Sequence, residues 1–204
     1  MKHTSSRDLY AYWNGRRGSR PAPERADIDP AAIRHSLSDV FILSADFVED
    51  QRFRLAGTRV CALFDRELKG ESFGSLWSEA SREHMQALMT SVVEEKAAIV
   101  AGVTGRNIEG DPLELELLLL PLAARGHARI RAIGVLAATE LPFWIGSRPV
   151  KELMLGTVRH LGGGLDSKPR RFATQLGGQL RRGLMVYQGG AASRAPNPPT
   201  GKAG

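Results

Sequence analysis

The stretch Leu113-Glu-Leu-Glu-Leu-Leu-Leu-Leu-Pro-Leu122 decides the fold. Its first five residues alternate strictly. Successive side chains of a strand point to opposite faces, so Leu113, Leu115 and Leu117 turn to a core, with Glu114 and Glu116 on the other face. Ala98 to Thr104 precedes this stretch and Ile130 to Thr139 follows it, each an apolar strand-like run joined by a short, turn-rich connector. Connectors this short leave no room for helical crossovers, so the three strands form an antiparallel meander.

Upstream, Met85, Leu88, Met89, Val92 and Val93 recur at helical spacing and predict a helix from about Glu79 to Ala97 whose stripe needs a sheet to cover. Val40 to Ser44 and Gln51 to Gly57 read as an antiparallel hairpin, with Phe53 and Leu55 alternating against Arg52 and Arg54. Thr58 to Phe64 reads as a helix, and Asp29-Pro30 starts another through Leu37. The order predicts an α+β architecture: a five-stranded antiparallel sheet with helices inserted between strands 2 and 3. A helix from Ser6 to Trp13, with Leu9, Tyr10, Tyr12 and Trp13 making one side sticky, flanks the body. The stripes Leu153, Met154, Val158, Leu161 and Phe172, Leu176, Leu180 predict further helices after it. The expected organisation is an N-terminal helix and Pro/Gly/Arg-rich linker (1–30), a body (31–142), a basic extension (143–188) and a disordered tail (189–204) rich in Gly, Ala and Pro.

With 204 residues, 42% hydrophobic and 25% charged, a chain of this size buries roughly 70% of its unfolded surface and needs no staples. No uncharged run approaches the ~18 apolar residues of a membrane-spanning helix. The start, Met1 to Asp8, lacks the apolar core of a secretory signal. A lone cysteine, Cys61, suits a reducing compartment, so a cytoplasmic location is expected. The net charge of +6 is unevenly placed: residues 1–145 carry 18 Lys/Arg against 20 Asp/Glu, or −2, and residues 146–204 carry 10 against 2, or +8. The basic segment, with pairs Arg170-Arg171 and Arg181-Arg182, attracts anionic partners. It offers only Phe172 and Tyr187 for stacking, so a solvated surface is favoured over nucleic-acid binding.

The run Arg54-Leu-Ala-Gly-Thr-Arg-Val-Cys-Ala-Leu-Phe-Asp-Arg-Glu-Leu-Lys-Gly70, followed by Ser72-Phe-Gly-Ser-Leu-Trp77, resembles the second strand and first helices of a PAS sensory domain. More narrowly, Tyr12-Trp13 followed by Pro23-Glu-Arg25-Ala-Asp27-Ile-Asp29-Pro30 resembles a stand-alone PAS-like family of alphaproteobacteria. The likeness covers about Ser6 to Pro142, and Arg182 to Gly190 resembles that family's ending. The resemblance implies a bacterial sensory or protein-interaction module whose sheet and helices enclose a small pocket. It implies no particular cofactor.

Motifs for other chemistry are weak. Gly70-Glu-Ser-Phe-Gly74 matches a nucleophile elbow, yet it follows a charged segment and has no parallel βα frame around it. Cys61 lies between Val60 and Ala62, where a flavin-reactive cysteine of the PAS class has polar flanks, so a small core cysteine is favoured. His84 is the one candidate haem ligand and reads better as a partly exposed helix residue. The five histidines never reach the spacing that puts two metal ligands on one helix face, and Gly162-Gly-Gly164 lacks the continuation of a phosphate loop.

The expected function is therefore a non-enzymatic signalling module that binds a small ligand or a protein partner. The alternative is a nucleic-acid-associated regulator using the basic extension. Cys61, Phe64, Trp77, Met85, Leu88 and Met89 are the pocket candidates, although the same side chains would fill a solid core, the commoner outcome. Leu153, Met154, Val158 and Leu161 are the partner-surface candidates. The sticky N-terminal helix predicts a homodimer, unless its own sheet covers it.

Overall fold

A computed structural model describes residues 1–44, 51–123, 130–161, 179–181 and 184–186. The first helix, α1 (Thr4–Arg17), leads through 3-10 turns to the hairpin β1 (Val40–Ser44) and β2 (Arg52–Ala56). Helices α2 (Thr58–Phe64) and α3 (Glu79–Val93) follow, and then the strands β3 (Ala98–Asn107), β4 (Pro112–Pro121), β5 (Ile130–Ala138) and β6 (Val150–Leu161). The strands lie in the order β2-β1-β5-β4-β3-β6, with every pair antiparallel. The meander β3-β4-β5 and the helices inserted after β2 are as expected. The sheet proper has six strands where five were expected, and two three-residue strands, Gln179–Arg181 and Leu184–Val186, continue it beyond β6.

The sixth strand corrects the reading of residues 150–161 as a helix. Its register against β3 slips twice, between Ala101/Val103 and between Arg106/Asn107, and each slip inserts an extra residue into β6. A bulge of this kind breaks the period of two. The core-facing residues Val150, Leu153, Leu155 and Val158 are therefore spaced three, two and three apart, which imitates a helical repeat. Leu153 and Val158 are buried in the core rather than presented on a surface; Met154 and Leu161 are half-buried. The body thus runs past the boundary expected at residue 142. The expected helix from Pro30 to Leu37 is instead a pair of short 3-10 turns, Pro30–Ile33 and Leu37–Asp39. The second stripe's Phe172 and Leu176, the arginines 170, 171 and 182, the glycines 162–164 and the tail 189–204 lie outside the described residues.

Another bulge shapes the hairpin. Leu43 pairs with Phe53 but Ile42 pairs with Leu55, so Arg54 is the extra residue in β2. One inserted residue turns the following side chain to the opposite face. Phe53 is buried on the inner face, while Leu55, expected beside it, sits on the outer face and is 44% exposed.

Both faces of the sheet are covered, which explains why Leu117 to Leu120 are all buried. Helices α2 and α3 pack the inner face. On the outer face, Leu9 and Trp13, one turn apart on α1, join Ile28 and Ile33 over Val40, Ile42, Leu118, Leu120 and Val135. The Trp13 indole N–H donates to the Pro121 carbonyl at 2.8 Å. The Tyr12 hydroxyl accepts from the Asp29 N–H at 2.9 Å, and the Tyr10 ring stacks on Trp13. The sticky side of α1 is satisfied within the chain, which removes the physical reason for a dimer through it.

Candidate functional site

The pocket candidates do meet. Phe64, Trp77, Met85, Leu88 and Met89 are buried in one cluster between the sheet and the helices, with Cys61 half-buried at its margin. They converge because α3 turns its i, i+3, i+4 stripe inward while the 3-10 turn Phe73–Leu76 feeds Trp77 beneath it. Aromatic rings join them in the same cluster. Phe41, Phe53, Phe73 and Trp77 lie in a chain with centroids 5.7 Å apart, mostly edge to face, the arrangement that ring quadrupoles favour. Phe41 packs so closely on Gly134 that a Cβ there would lie 2.4 Å from its ring. The candidates and these rings belong to one buried hydrophobic cluster.

One polar atom in that core is anomalous. Trp77 is 1% exposed, and its Nε1 has no acceptor among the described residues. An unpaired buried donor costs about 1–3 kcal/mol, so such a group calls for an explanation.

Cys61 lacks the setting of a reactive thiol. Burial raises its pKa, and Glu67, with Oε1 3.7 Å from Sγ, raises it further. A thiolate beside a carboxylate is disfavoured. The ring of His84 is engaged with the carbonyl of Ala80 at 3.2 Å on its own helix, not turned into the core. Among the described residues no three His, Cys, Asp or Glu side chains gather in a metal-binding arrangement, and no helix is long and apolar enough to cross a membrane.

The sheet face bearing Glu114 and Glu116 is partly occupied. Glu116 is 7% exposed and accepts from the main-chain N–H groups of Lys2 at 2.6 Å and His3 at 3.1 Å. Burial works to raise its pKa, but those donors outweigh it and hold the carboxyl below its ordinary range. The Ser5 hydroxyl donates to buried Asp39 at 2.7 Å, and Arg59 of α2 reaches the same carboxylate at 3.5 Å. The start of α1 is thereby linked to the inserted helices.

Sequence reasoning missed a second feature, in the connection between β5 and β6. Leu141 is 68% exposed and Phe143 93%, while Trp144 between them and β6 is buried in the inner core. Arg148 in the same connection pairs with Glu109 at 2.6 Å and Asp111 at 3.5 Å in the β3–β4 turn, next to Ile108, which is 79% exposed. Three large apolar side chains thus protrude from neighbouring connections at one end of the sheet. The available signal was Leu141-Pro-Phe-Trp-Ile145, an apolar run with neither strand nor helix period, bounded by Glu140 and Gly146.

A five-strand order 2-1-5-4-3, with helices crossing between strands 2 and 3 and packed on one face, defines a PAS-type α+β sensor fold. The family model described as a PAS domain matches residues 1–137, two thirds of the chain including α1, and the chain belongs to that family. Strand β6 lies beyond the matched residues. Among solved structures, a light-oxygen-voltage domain is similar over 54% of this chain and 83% of its own, at 11% identity and TM-score 0.43. A Rhodobacter sphaeroides LOV protein is similar over 51% of this chain and 60% of its own, at 13% identity and TM-score 0.40. A PAS domain of a Colwellia psychrerythraea protein is similar over 54% and 97%, at 14% identity and TM-score 0.38. No curated protein matches the chain.

Proposed function

We propose that this PAS domain is a non-catalytic signalling module that works by binding a protein partner through the end of its sheet. The carrying observation is the exposure of Phe143, Leu141 and Ile108 on connections that are themselves held in place. Trp144 anchors one connection in the core, and the pairing of Arg148 with Glu109 and Asp111 ties it to the other. Large apolar side chains presented on an ordered support are what a contact surface requires, because little conformational freedom is lost on binding. The close contacts among Phe41, Phe53, Phe73 and Trp77 support the same reading, since rings packed together take up interior space that a ligand would need.

The test is a double variant, Leu141→Asp with Phe143→Asp, used beside wild type to capture partners from the native cell. Loss of the specifically captured protein with unchanged thermal unfolding supports the reading. Capture of the same protein by both forms sinks it.

A second reading rests on the unpaired Nε1 of Trp77. A small, largely apolar ligand with one hydrogen-bond acceptor would satisfy that donor if the rings and the flexible Met85 and Met89 repacked around it. A shift in Trp77 fluorescence on titration with such ligands, absent in Trp77→Phe, would favour it over the first.

A further inference from the structure

Next to the bulge in β2, on the outer face of the sheet, lies an open basin of about 490 Å³ lined by Arg25, Ile42, Arg54, Leu55 and Lys69. Its position follows from the chain's local structure. The main chain at Pro23 accepts from the N–H of Ala123 at 2.8 Å, which lays the 23–27 segment beside the end of β4 and brings Arg25 over the outer face. The Arg25 guanidinium is steadied by donating to the Ile28 carbonyl at 3.0 Å. On the other side, the main-chain N–H of Phe53 donates to Glu71 and that of Gly70 donates to Phe53, which holds Lys69 against the outer edge of β2. Between them the bulge turns Leu55 outward beside its partner Ile42.

We propose that this basin binds a small amphiphilic anion, a phosphate or carboxylate group carrying an apolar body. Two independent features point the same way. The floor is aliphatic: Ile42 is 7% exposed and Leu55 44%, although a regular alternation would have buried Leu55 in the inner core. Bulges recur next to active sites, where they re-aim a side chain. The rim is cationic: Arg25, Arg54 and Lys69 line it. Of the carboxylates around it, Asp27 pairs with Arg20 at 2.9 Å, Glu71 pairs with Arg66 at 3.0 Å, and Glu67 accepts from the main-chain N–H of Lys69 at 3.2 Å. Among the described residues neither the Arg54 guanidinium nor the Lys69 ammonium meets a carboxylate. Three cations around an aliphatic floor suit one anionic group and one apolar group in the same molecule. The site is separate from the connection bearing Leu141 and Phe143, so either proposal can fail without the other.

Octyl phosphate, inorganic phosphate and the neutral amphiphile octyl glucoside, titrated into the full chain, test the proposal through the Leu55 methyl signals and the amides of β2. Octyl phosphate should bind saturably. Inorganic phosphate and octyl glucoside should each bind at least about tenfold more weakly, because each offers only half of the interaction. Arg54→Gln with Lys69→Gln should lose octyl phosphate by a similar factor, and Leu55→Ser should reduce it to the level of inorganic phosphate. Both variants alter exposed side chains and should unfold at the wild-type temperature. The proposal is overturned if the double variant binds octyl phosphate within about twofold of wild type, or if octyl glucoside binds as well. Sedimentation with phosphatidic acid vesicles, without binding of monomeric octyl phosphate, would assign the basin to a lipid surface and overturn the small-molecule reading.

Discussion

The indole N–H of Trp13 donates to the carbonyl of Pro121 across 2.8 Å, joining the N-terminal helix to the last residue of β4. Pro121 ends a strand whose leucines face both layers, so this bond fastens α1 to the middle of the sheet. A 14-residue helix is marginal alone in water, and its stability has to come from such docking. Trp13→Phe keeps much of the buried area and leaves the carbonyl unpaired. It should cost about 1–2 kcal/mol. Trp13→Ala should cost about 3–5 kcal/mol. Urea unfolding measures both, and a loss under about 0.5 kcal/mol for the alanine variant would mean that α1 is not docked.

Glu116 should make the hold on residues 2 and 3 pH-dependent. Its folded carboxyl ionises more readily than in the unfolded chain, so its contribution is fully present above the ordinary value of 4.5 and fades as pH falls below it. Glu116→Gln should flatten that part of the stability profile and speed hydrogen exchange at the amides of Lys2 and His3. Identical acid profiles for the two proteins would contradict the assignment.

Gly134 and Gly102 should respond differently to alanine. A Cβ at Gly134 would lie 2.4 Å from the ring of Phe41 and 2.5 Å from the carbonyl oxygen of Leu118, and the backbone oxygen cannot move aside cheaply. At Gly102 nothing lies within 4 Å. Gly134→Ala should lose about 1–3 kcal/mol or more, and Gly102→Ala should stay within about 1 kcal/mol of wild type. Equal losses would show that the contact of Phe41 with β5 is looser than described.

Leu153 and Leu55 make the complementary pair. Leu153 is fully buried where a surface residue was expected, and Leu55 is open where a core residue was expected. Leu153→Ala should cost about 2–5 kcal/mol. Leu55→Ser should change stability by no more than about 0.5 kcal/mol. Calorimetry that reversed this order would place β6 outside the sheet.

The amino-acid sequence by itself determined the class of fold and most of its elements. The strict alternation in Leu113-Glu-Leu-Glu-Leu117, the short connectors around it and the helical stripe through Met85, Leu88 and Met89 are local periodicities, and local periodicity survives in one dimension. The same signals picked out Phe64, Trp77, Met85 and Met89, which lie in one buried cluster. They could not say what else joins that group, because Phe41, Phe53 and Phe73, which lie in the same cluster, arrive from separate segments. Only the tertiary structure decided the faces of β2 and β6. One extra residue at Arg54 and two in β6 shift the side-chain period relative to the partner strand, and a bulge is a property of the pair rather than of either sequence. It decided as well that the aromatic side of α1 closes on its own sheet, since the carbonyl of Pro121 that receives Trp13 lies 108 residues away along the chain.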